Sequence, residues 1–448
     1  MFMKNALLIS LFIIVSNGIS IAQQNYFGVQ NSKRKGMINA KMNPAEINNL
    51  SKKVEVSLFS INAGVDNNVL SAQDIIDNPD VFDNIFDNVE EPVNLRTDVS
   101  VMGPAVGLRF DKWSFGITTE VKAKVDIIDF NPELGNSIIQ NANENNVQTS
   151  INIPENQRIN ASGWMELGFI VGRKILDTDF HTLSVGGNFK LLFPGSYSNF
   201  GVDKLKATII HSEDETLITD AIGSLNLSYD ERWENEDGFD LQDDLWRGFN
   251  PGGLGVDLGV NYMIKKDNDP LLNIGLSVKN LGSMGMGSNQ RHKNYAVNIP
   301  QNEYFRIDNL DGNVEEIEQQ LVDSGYFTIN DADSDIRVNL PRTMSAYLEF
   351  SPVKTFQISL YGQKRINNES NNINLSAADL IVITPRLVLG KFELYSPWMQ
   401  HQISNFTGGL GFQYGGFFIG SNSVITNLIK NDSHRADIHL GLSWGFGS

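Results

Sequence analysis

The stretch Trp113-Ser-Phe-Gly-Ile-Thr-Thr-Glu-Val-Lys-Ala-Lys-Val-Asp-Ile127 decides the fold of this chain. Apolar residues occupy nearly every odd position, while small, polar or charged residues occupy the even ones. Because successive side chains of a strand point to opposite faces, the stretch has one apolar face and one polar face. Such alternation over 15 residues is long for a globular strand, which typically has about five or six. It suits a tilted strand that crosses a lipid bilayer.

The same alternation recurs at 254–265, 272–279 and 436–447. Aromatic residues cluster near strand ends, for example Trp113 and Trp444, as they do in the girdles of membrane barrels. A soluble β-sandwich would also alternate, but with shorter strands and more regular turns.

Turn lengths favour the barrel over the sandwich. Short turns close six predicted hairpins, whereas the connections between hairpins are mostly long, at about 128–163, 194–252 and 282–336. Bacterial barrels combine short periplasmic turns with long extracellular loops. A first strand at 54–63 and a last strand at 435–446 bring the count to fourteen, within a range of twelve to sixteen. The predicted hairpins are 98–110/113–127, 164–175/181–193, 253–265/271–281, 337–351/354–366, 382–389/391–398 and 405–414/417–424.

We therefore predict an all-β fold, a closed antiparallel transmembrane β-barrel of about fourteen strands over residues 51–448. An even count lets the first and last strands pair, which removes sheet edges that lipid would not tolerate. Both ends of the wall then lie on the short-turn side. The long 194–252 connection also contains two strand-like stretches, 207–211 and 217–229.

Residues 1–22 have the features of a secretory signal peptide. Lys4 supplies a positive charge, residues 6–15 are an apolar run, and Ser20 and Ala22 are the small residues that precede cleavage before Gln23. A membrane-spanning helix needs about 20 apolar residues, so this run is too short for an anchor. We expect export to the bacterial outer membrane and contact with its lipid.

Composition excludes several classes of function. The chain has no cysteine, so disulfides, thiolate metal sites and a lipoprotein anchor are excluded. The net charge of -18 argues against a nucleic-acid partner, because phosphate binding needs clustered Lys and Arg. Eight carboxylates lie between Asp230 and Asp244, and we place them in a solvated loop. No apolar run after residue 22 is long enough for a helical span.

Several short motifs resemble a known group of barrels. Asn43-Pro44-Ala45 resembles the Asn-Pro-Ala box of FadL-type long-chain fatty-acid channels. The stretches 253–262, 276–282 and 408–420 are similar to segments of uncharacterised FadL/PorV-like barrels, found in bacteria that use type IX secretion. The resemblance implies a fourteen-stranded barrel with an N-terminal plug. It implies no ligand-contacting residues, and the function of that group is unknown.

The polar positions of each alternation are predicted to face the lumen, since charge on a lipid face would be costly. Both signs occur, so these side chains form either a structural salt-bridge network or the lining of an aqueous path. The predicted lumen residues are Glu120, Lys122, Lys124, Asp126, Glu166, Lys190, Asp257, Asn261, Asn273, Lys279, Asp437 and His439.

Residues 23–50 lack strand periodicity and carry Lys33, Arg34, Lys35 and Lys41. A basic segment of this kind threads into an acidic lumen as a plug, or it is a periplasmic tail. We expect the plug.

Three features of the long connections are candidates for local structure or sites. Val314, Ile317 and Leu321 share one helical face before Gly325, which predicts a short helix. Asp331, Asp333 and Asp335 resemble a calcium loop, but the glycine and glutamate that an EF-hand requires are absent. We therefore expect no metal and no cofactor. An apolar group in the first loop either packs within the loops or offers an entry site for an apolar ligand; its members are Ile75, Ile76, Phe82, Ile85 and Phe86.

No hydrolase motif is present, so we do not expect an enzyme. His401 and His434 lie near predicted strand ends, where barrel enzymes carry catalytic histidines. A serine or aspartate within hydrogen-bond reach of either histidine would favour an enzyme after all.

The sequence supports two hypotheses. The first is a channel for hydrophobic or small amphipathic molecules, by analogy with the FadL-type fold. The second is a non-transporting barrel that docks a protein partner in a secretion or surface-assembly complex. Fold alone does not decide between them.

Overall fold

The computed structural model of the protein describes residues 26–32, 37–78, 81, 85–86, 89–139, 147–212, 215–231, 250–267, 269–308, 310, 312–333 and 335–447. The predicted signal peptide, residues 33–35 and most of the acidic run at 230–244 lie outside these residues. Within the described ranges, no helix is long and apolar enough to cross a membrane.

The described residues form a single sheet of 23 strand segments. In chain order these are β1 Val54–Asn67, β2 Val93–Met102, β3 Ala105–Phe110, β4 Trp113–Phe130, β5 Val147–Ile153, β6 Gln157–Asp177, β7 His181–His211, β8 Thr216–Asp230, β9 Gly253–Lys266, β10 Asp269–Gly285, β11 Gln290–Ile299, β12 Phe305–Arg306, β13 Phe327–Asp333, β14 Arg337–Asn339, β15 Thr343–Val353, β16 Phe356–Arg365, β17 Leu380–Leu389, β18 Phe392–Tyr395, β19 Trp398–His401, β20 Asn405–Gly408, β21 Leu410–Tyr414, β22 Phe417–Ser421 and β23 Arg435–Phe446.

These segments build a closed antiparallel barrel of fourteen strands, which confirms the predicted fold. β1 pairs with β2 and β3 on one side and with β23 on the other, so the first and last strands close the wall. The pairs β2/β3, β18/β19 and β20/β21 are each one strand in two segments. β14 continues into β15 along the same neighbour, β10, and the two count as one strand, whereas β5, β8 and β11 to β13 lie outside the fourteen. Val54 and Phe446 pair with each other at the end of the barrel that carries the short turns.

The outward face of the wall is apolar and the inward face is polar. In β4, Phe115 and Ile117 are 43% and 50% exposed, whereas Lys122 and Lys124 are 6% and 2% exposed. This is the pattern that a lipid-facing barrel requires. Ile127, near the other end of β4, is buried because it joins an apolar cluster beyond the barrel.

At the long-loop end, the wall continues into further β-structure. β7 continues beyond its pairing with β9 and pairs there with β5 and β8, β8 pairs with β11, and β11 pairs with β13. Buried apolar residues from these strands and from the first loop form a common core, to which Ile85, Phe86 and Tyr295 belong. We call this part the long-loop extension.

The structure corrects two sequence predictions, one about the long connections and one about a hairpin turn. The connections predicted at 128–163 and 194–252 are largely β-structure, since β6 begins at Gln157 and β7 continues to His211. The hairpin predicted at 337–351/354–366 turns two residues later, because β15 extends to Val353. Alternation identifies a strand, but it does not show where that strand leaves the membrane.

Helices are few and short in the described chain. Val314–Asp323 confirms the predicted loop helix, with Asn313 capping its start and Gly325 in the left-handed conformation (φ 78°) after its end. The other helices are Ile38–Met42, Ala72–Asp77, Pro132–Ile139 and Val424–Ile429, with 3-10 helices at Val29–Asn31 and Pro44–Asn49.

Candidate functional site inside the barrel

The described part of the N-terminal region, residues 26–32 and 37–50, lies inside the barrel, and we call it the inner segment. Its apolar side chains pack against apolar residues of the inner wall: Met37 and Ile47 share a buried cluster with Met102 and Ile170. Phe27 packs in a second cluster of this kind on the opposite strands. The segment therefore has an apolar core of its own against the wall.

The wall presents glycine wherever the inner segment approaches it most closely. A Cβ atom at these glycines would overlap the segment, so only glycine leaves room for it. The close pairs are Gly107 and Gly116 with Met37, Gly172 with Ile47, Gly186 with the backbone of Pro44, and Gly259 with Asn43.

Asn43, Pro44 and Ala45 form the joint between the segment and the wall. The Asn43 side chain accepts a hydrogen bond from the Ala45 amide (3.0 Å), which caps the following helical turn. Its Nδ2 donates to the carbonyl oxygens of Val260 (3.0 Å) and Leu276 (3.3 Å) in β9 and β10. Pro44 takes the first helical position, where its missing N–H is not needed. All three residues are buried.

Two predicted lumen residues bind the inner segment. Asn261 and Asn273 donate from Nδ2 to Glu46 Oε1 at 2.9 Å and 3.0 Å, and the Tyr347 hydroxyl donates to the same oxygen. Three neutral donors thus hold one buried carboxylate, which is how a protein stabilises such a group without a cation.

Closer to the long-loop end of the barrel, lysines and carboxylates of neighbouring strands form ion pairs. Glu120 and Glu166 are direct cross-strand partners on β4 and β6, where like charges repel. Lys122 Nζ lies between them, 2.8 Å from Glu166 Oε1 and 3.3 Å from Glu120 Oε2. The Trp164 indole also donates to Glu166, at 2.8 Å. Each charge at this level has a partner of the opposite sign.

The chain of charges continues on both sides. Lys190 Nζ lies 3.4 Å from Glu166 Oε2 and 2.9 Å from Asp257 Oδ2. Lys41 of the inner segment contacts Glu120. Burial lowers the pKa of Lys41, and the charge of Glu120 opposes this only in part. We call this set the charge belt; it consists of Lys41, Glu120, Lys122, Glu166, Lys190 and Asp257.

The connection between β16 and β17, residues 366–379, folds back into the barrel at the long-loop end, and we call it the mouth loop. Its Leu375 and Ser376 have no exposed surface. Arg158 of β6 donates to the Asn374 carbonyl at 2.6 Å, and the Tyr197 hydroxyl donates to the Asn372 carbonyl. The loop is thus bound to the inner wall.

Arg96 joins the mouth loop to the predicted lumen residue Asp126. Its guanidinium donates to Asp126 (2.7 Å), to Glu369 (3.0 Å) and to Ser376 (2.9 Å). Lys124, in the same region, pairs with Asp98. These contacts lie above the charge belt, on the side of the long loops.

A cavity of about 100 Å³ lies between the inner segment and the mouth loop. Lys41 borders it from the segment, and Ser376, Ala377 and Ala378 border it from the loop. The predicted lumen residues that line it are Glu120, Lys122, Lys124, Glu166, Lys190, Asp257 and Lys279.

Asp437 and His439 face the interior away from this cavity. Asp437 accepts hydrogen bonds from the backbone (2.8 Å) and side-chain (2.7 Å) nitrogens of Asn422. His439 Nε2 bonds the Tyr395 hydroxyl at 2.9 Å. Both belong to buried networks of β18 and β21 to β23.

His401 does have a serine and an aspartate within reach, but not in a catalytic arrangement. Ser404 Oγ and Asp66 Oδ1 both approach the same ring nitrogen, Nδ1, at 3.1 Å and 3.4 Å. A triad needs the nucleophile on one ring nitrogen and the carboxylate on the other. Asp66 is held by Arg435 at 2.6 Å, and all four residues are buried. His434 Nδ1 bonds only a backbone oxygen, that of Leu70, among the described residues. We read the cluster as an ion-pair network.

Sequence reasoning missed several residues of the interior. Arg96 and Asp98 carried a readable signal, because they alternate with Leu95, Thr97 and Val99 in the manner of the other strands. The mouth loop carried none, since an Asn- and Ser-rich connection reads as solvated. Among the described residues no group of three or more His, Asp or Glu side chains is arranged to hold a metal ion, and Asp331 and Asp335 are included in that statement.

Solved structures similar to this chain are barrels. The Pseudomonas putida toluene transporter TodX is 9% identical, with 95% of this chain and 98% of that chain covered and a TM-score of 0.42. The monoaromatic hydrocarbon channel CymD is 10% identical over 97% of both chains, with a TM-score of 0.42. A Pseudomonas aeruginosa FadL homologue is 8% identical, covers 95% and 99% of the two chains, and has a TM-score of 0.27. These values are too low to transfer an activity. No curated protein matches the chain.

A family model matches most of the sequence, from residue 44 to residue 422. The match covers Pro44 and Ala45 of the joint, the charge-belt residues of the wall strands and the mouth loop, but it begins after Lys41 and Asn43. It confirms the expectation of an uncharacterised family, and the chain therefore belongs to the family of unknown function DUF5723.

Proposed function

We propose that the protein is an outer-membrane channel for small amphipathic molecules, with residues 1–22 removed on export and residues 23–50 acting as its plug. The observation that carries the proposal is the charged cavity that lies between the inner segment and the mouth loop. A fourteen-stranded barrel is wider than the barrels of about eight strands whose side chains fill the interior. Here two separate stretches of backbone close an interior space instead.

The apolar outer face supports the membrane location. Short turns and both ends of the wall at one end of the barrel match the periplasmic side of bacterial barrels. The inner segment then closes the periplasmic side and the mouth loop closes the extracellular side. The charged cavity favours amphipathic solutes over purely hydrophobic ones, because burying apolar surface against unsolvated charge gains little.

The glycine contacts provide the test. Gly186→Val places side-chain atoms on the Pro44 backbone, which has no flexible end to move aside. We expect the inner segment to be displaced. When Gly186→Val is combined with Arg96→Met, which removes the cation that binds the mouth loop, liposomes should swell several-fold faster in 6-aminohexanoate than those carrying the wild type. Gly362→Val is the matched control, because a Cβ atom there meets nothing within 4 Å.

Release of the inner segment is measured independently of transport. The chain has no cysteine, so Ala40→Cys, at a position only 1% exposed, becomes accessible to maleimide only when the segment leaves the wall. Release of both the inner segment and the mouth loop without any solute flux would disprove the channel.

The docking alternative is favoured by a different observation, the long-loop extension. This β-structure with its own apolar core exceeds what closing a barrel requires. Purification in mild detergent followed by mass spectrometry separates the two functions. A stoichiometric protein partner that is lost when the extension is trimmed supports docking, whereas co-purified small molecules without a partner support the channel.

A further inference from the structure

The ladder between β9 and β10 has a β-bulge at the cavity. Val278 pairs with Leu258 and Leu281 pairs with Val256, so Lys279 and Asn280 together face the single residue Asp257. Bulges re-aim side chains and are frequent beside functional sites. Here the bulge brings two successive side chains, Lys279 and Asn280, to the cavity.

Asn280 is held in this unusual position by three hydrogen bonds. Its φ is 61°, a left-handed conformation that asparagine tolerates better than most residues. Its backbone N–H donates to Asp257 Oδ1 (2.7 Å). Its side-chain Oδ1 accepts from Lys190 Nζ (2.7 Å), and its Nδ2 donates to the Pro341 carbonyl (3.0 Å). Asn280 thus binds two members of the charge belt, Lys190 and Asp257.

Lys279 differs from the other lysines of the cavity. Lys41, Lys122, Lys124 and Lys190 each have a carboxylate partner. In the part of the chain that the structure describes, Lys279 Nζ has neither a carboxylate within 4.0 Å nor a hydrogen-bond partner. Lys279 is half-buried, and a charge partly withdrawn from bulk water without a partner is costly.

The lining of the cavity leaves one positive charge uncompensated. Of the described residues that line it, five are lysines and four are carboxylates: Lys41, Lys122, Lys124, Lys190 and Lys279 against Asp98, Glu120, Glu166 and Asp257. One monovalent anion would neutralise the excess positive charge of these nine side chains. A water molecule would solvate Lys279 but would leave the excess charge in place. Thr343, the cross-strand partner of Lys279, also borders the cavity and offers a hydroxyl donor on the same face.

We propose that the cavity binds one small carboxylate between Lys279 and Thr343. The inference deepens the proposed function and rests on it, since it names the class of solute that the channel takes. Charge-assisted hydrogen bonds to a carboxylate are about twice as strong as neutral ones, so the site discriminates an acid from its amide.

The test uses trifluoroacetate as a small carboxylate probe, followed by fluorine NMR. The full chain is refolded into detergent micelles with the probe present, so that closed ends of the barrel do not limit access. We expect saturable binding that acetate displaces and acetamide does not. Lys279→Gln should weaken binding about tenfold or more, and Thr343→Val about threefold to tenfold.

Controls separate loss of the site from loss of the fold. Lys279→Arg keeps the charge and should stay within about threefold of the wild type. Lys354→Gln removes a lysine whose side chain is 84% exposed in a short turn and should change nothing. No saturable binding in the wild type, equal binding by folded Lys279→Gln, or displacement by acetamide would each overturn the proposal.

The two proposals fail separately. Carboxylate binding that depends on Lys279, without solute flux after both the inner segment and the mouth loop are released, leaves the site standing and removes the channel. Flux without Lys279-dependent binding leaves the channel and removes the site.

Discussion

The inner segment and the mouth loop both fill the barrel, but different forces hold them. The inner segment is held mainly by shape, through apolar side chains, wall glycines and the neutral side chain of Asn43, and in addition Lys41 contacts Glu120. The mouth loop is held by charge: Arg96 and Arg158 fix it, with Asn372 joined to the wall by Tyr197. One closure therefore yields to steric change and the other to loss of charge.

The difference follows from where each stretch binds. Apolar contact scales with area and has no direction, so a segment that runs along the wall gains from every glycine beneath it. A buried ion pair is directional, and removing one partner leaves an uncompensated charge. The mouth loop also buries Leu375 in an apolar cluster with Trp164 and Leu192. Its link to Asp126, however, depends on the ion pairs of Arg96.

The largest effect is expected from Arg96→Met. The substitution leaves Asp126 and Glu369 without this cation, and breaking a buried pair of this kind costs about 3–5 kcal/mol. We expect the mouth loop to leave the barrel while the inner segment stays docked. Maleimide should then label Ala378→Cys, a position 1% exposed in the intact protein, but not Ala40→Cys.

Arg291→Met is the matched control for that experiment. Its pair with Glu231 has partly exposed side chains (30% and 41%), so its loss costs at most about 1 kcal/mol. Equal labelling of Ala378→Cys in both variants would show that charge does not hold the mouth loop.

A smaller effect is expected from Asn43→Ala. It removes the cap on the Ala45 amide and both hydrogen bonds to the wall, at a cost of about 1–3 kcal/mol. We expect faster labelling of Ala40→Cys and no change at Ala378→Cys. Asn313→Ala removes a comparable cap from Val314–Asp323 and should leave both positions protected. If Asn43→Ala exposes the mouth loop as well, the two closures are not independent.

The smallest effect is expected from pH. The pKa of Lys41 is lowered by burial when the segment is docked, so the released segment binds this proton more tightly. By linkage, docking strengthens as pH rises through the pKa of docked Lys41 toward 10.5, even though the contact with Glu120 loses its charge. Lys122 and Glu166 also face this group.

Labelling of Ala40→Cys, normalised to a model thiol at each pH, should slow between pH 7 and pH 10. The dependence should vanish in Lys41→Met. Faster labelling at high pH would mean that the ion pair, rather than burial, dominates the docking of Lys41.

The sequence predicted the wall well because period-two alternation is a local property. β23 was predicted at 435–446, the bounds that it has in the structure, and the charged side chains at even positions of β4 are buried. Charge on a lipid face is so costly that inward orientation follows directly from residue type. Asn261 and Asn273 were likewise placed inside, although what they bind there, Glu46, was not foreseeable.

By itself, the sequence determined that this chain is a barrel of about fourteen strands with an apolar outside and a charged inside. The reason is that alternate residues of each strand face opposite sides of the wall. Only the tertiary structure decided how the inside is used. The packing of the inner segment on five glycines, the insertion of the mouth loop and the position of Lys279 beside the cavity all depend on residues far apart in the chain that meet in the lumen. A local sequence pattern cannot predict these contacts, because they form only when the barrel closes.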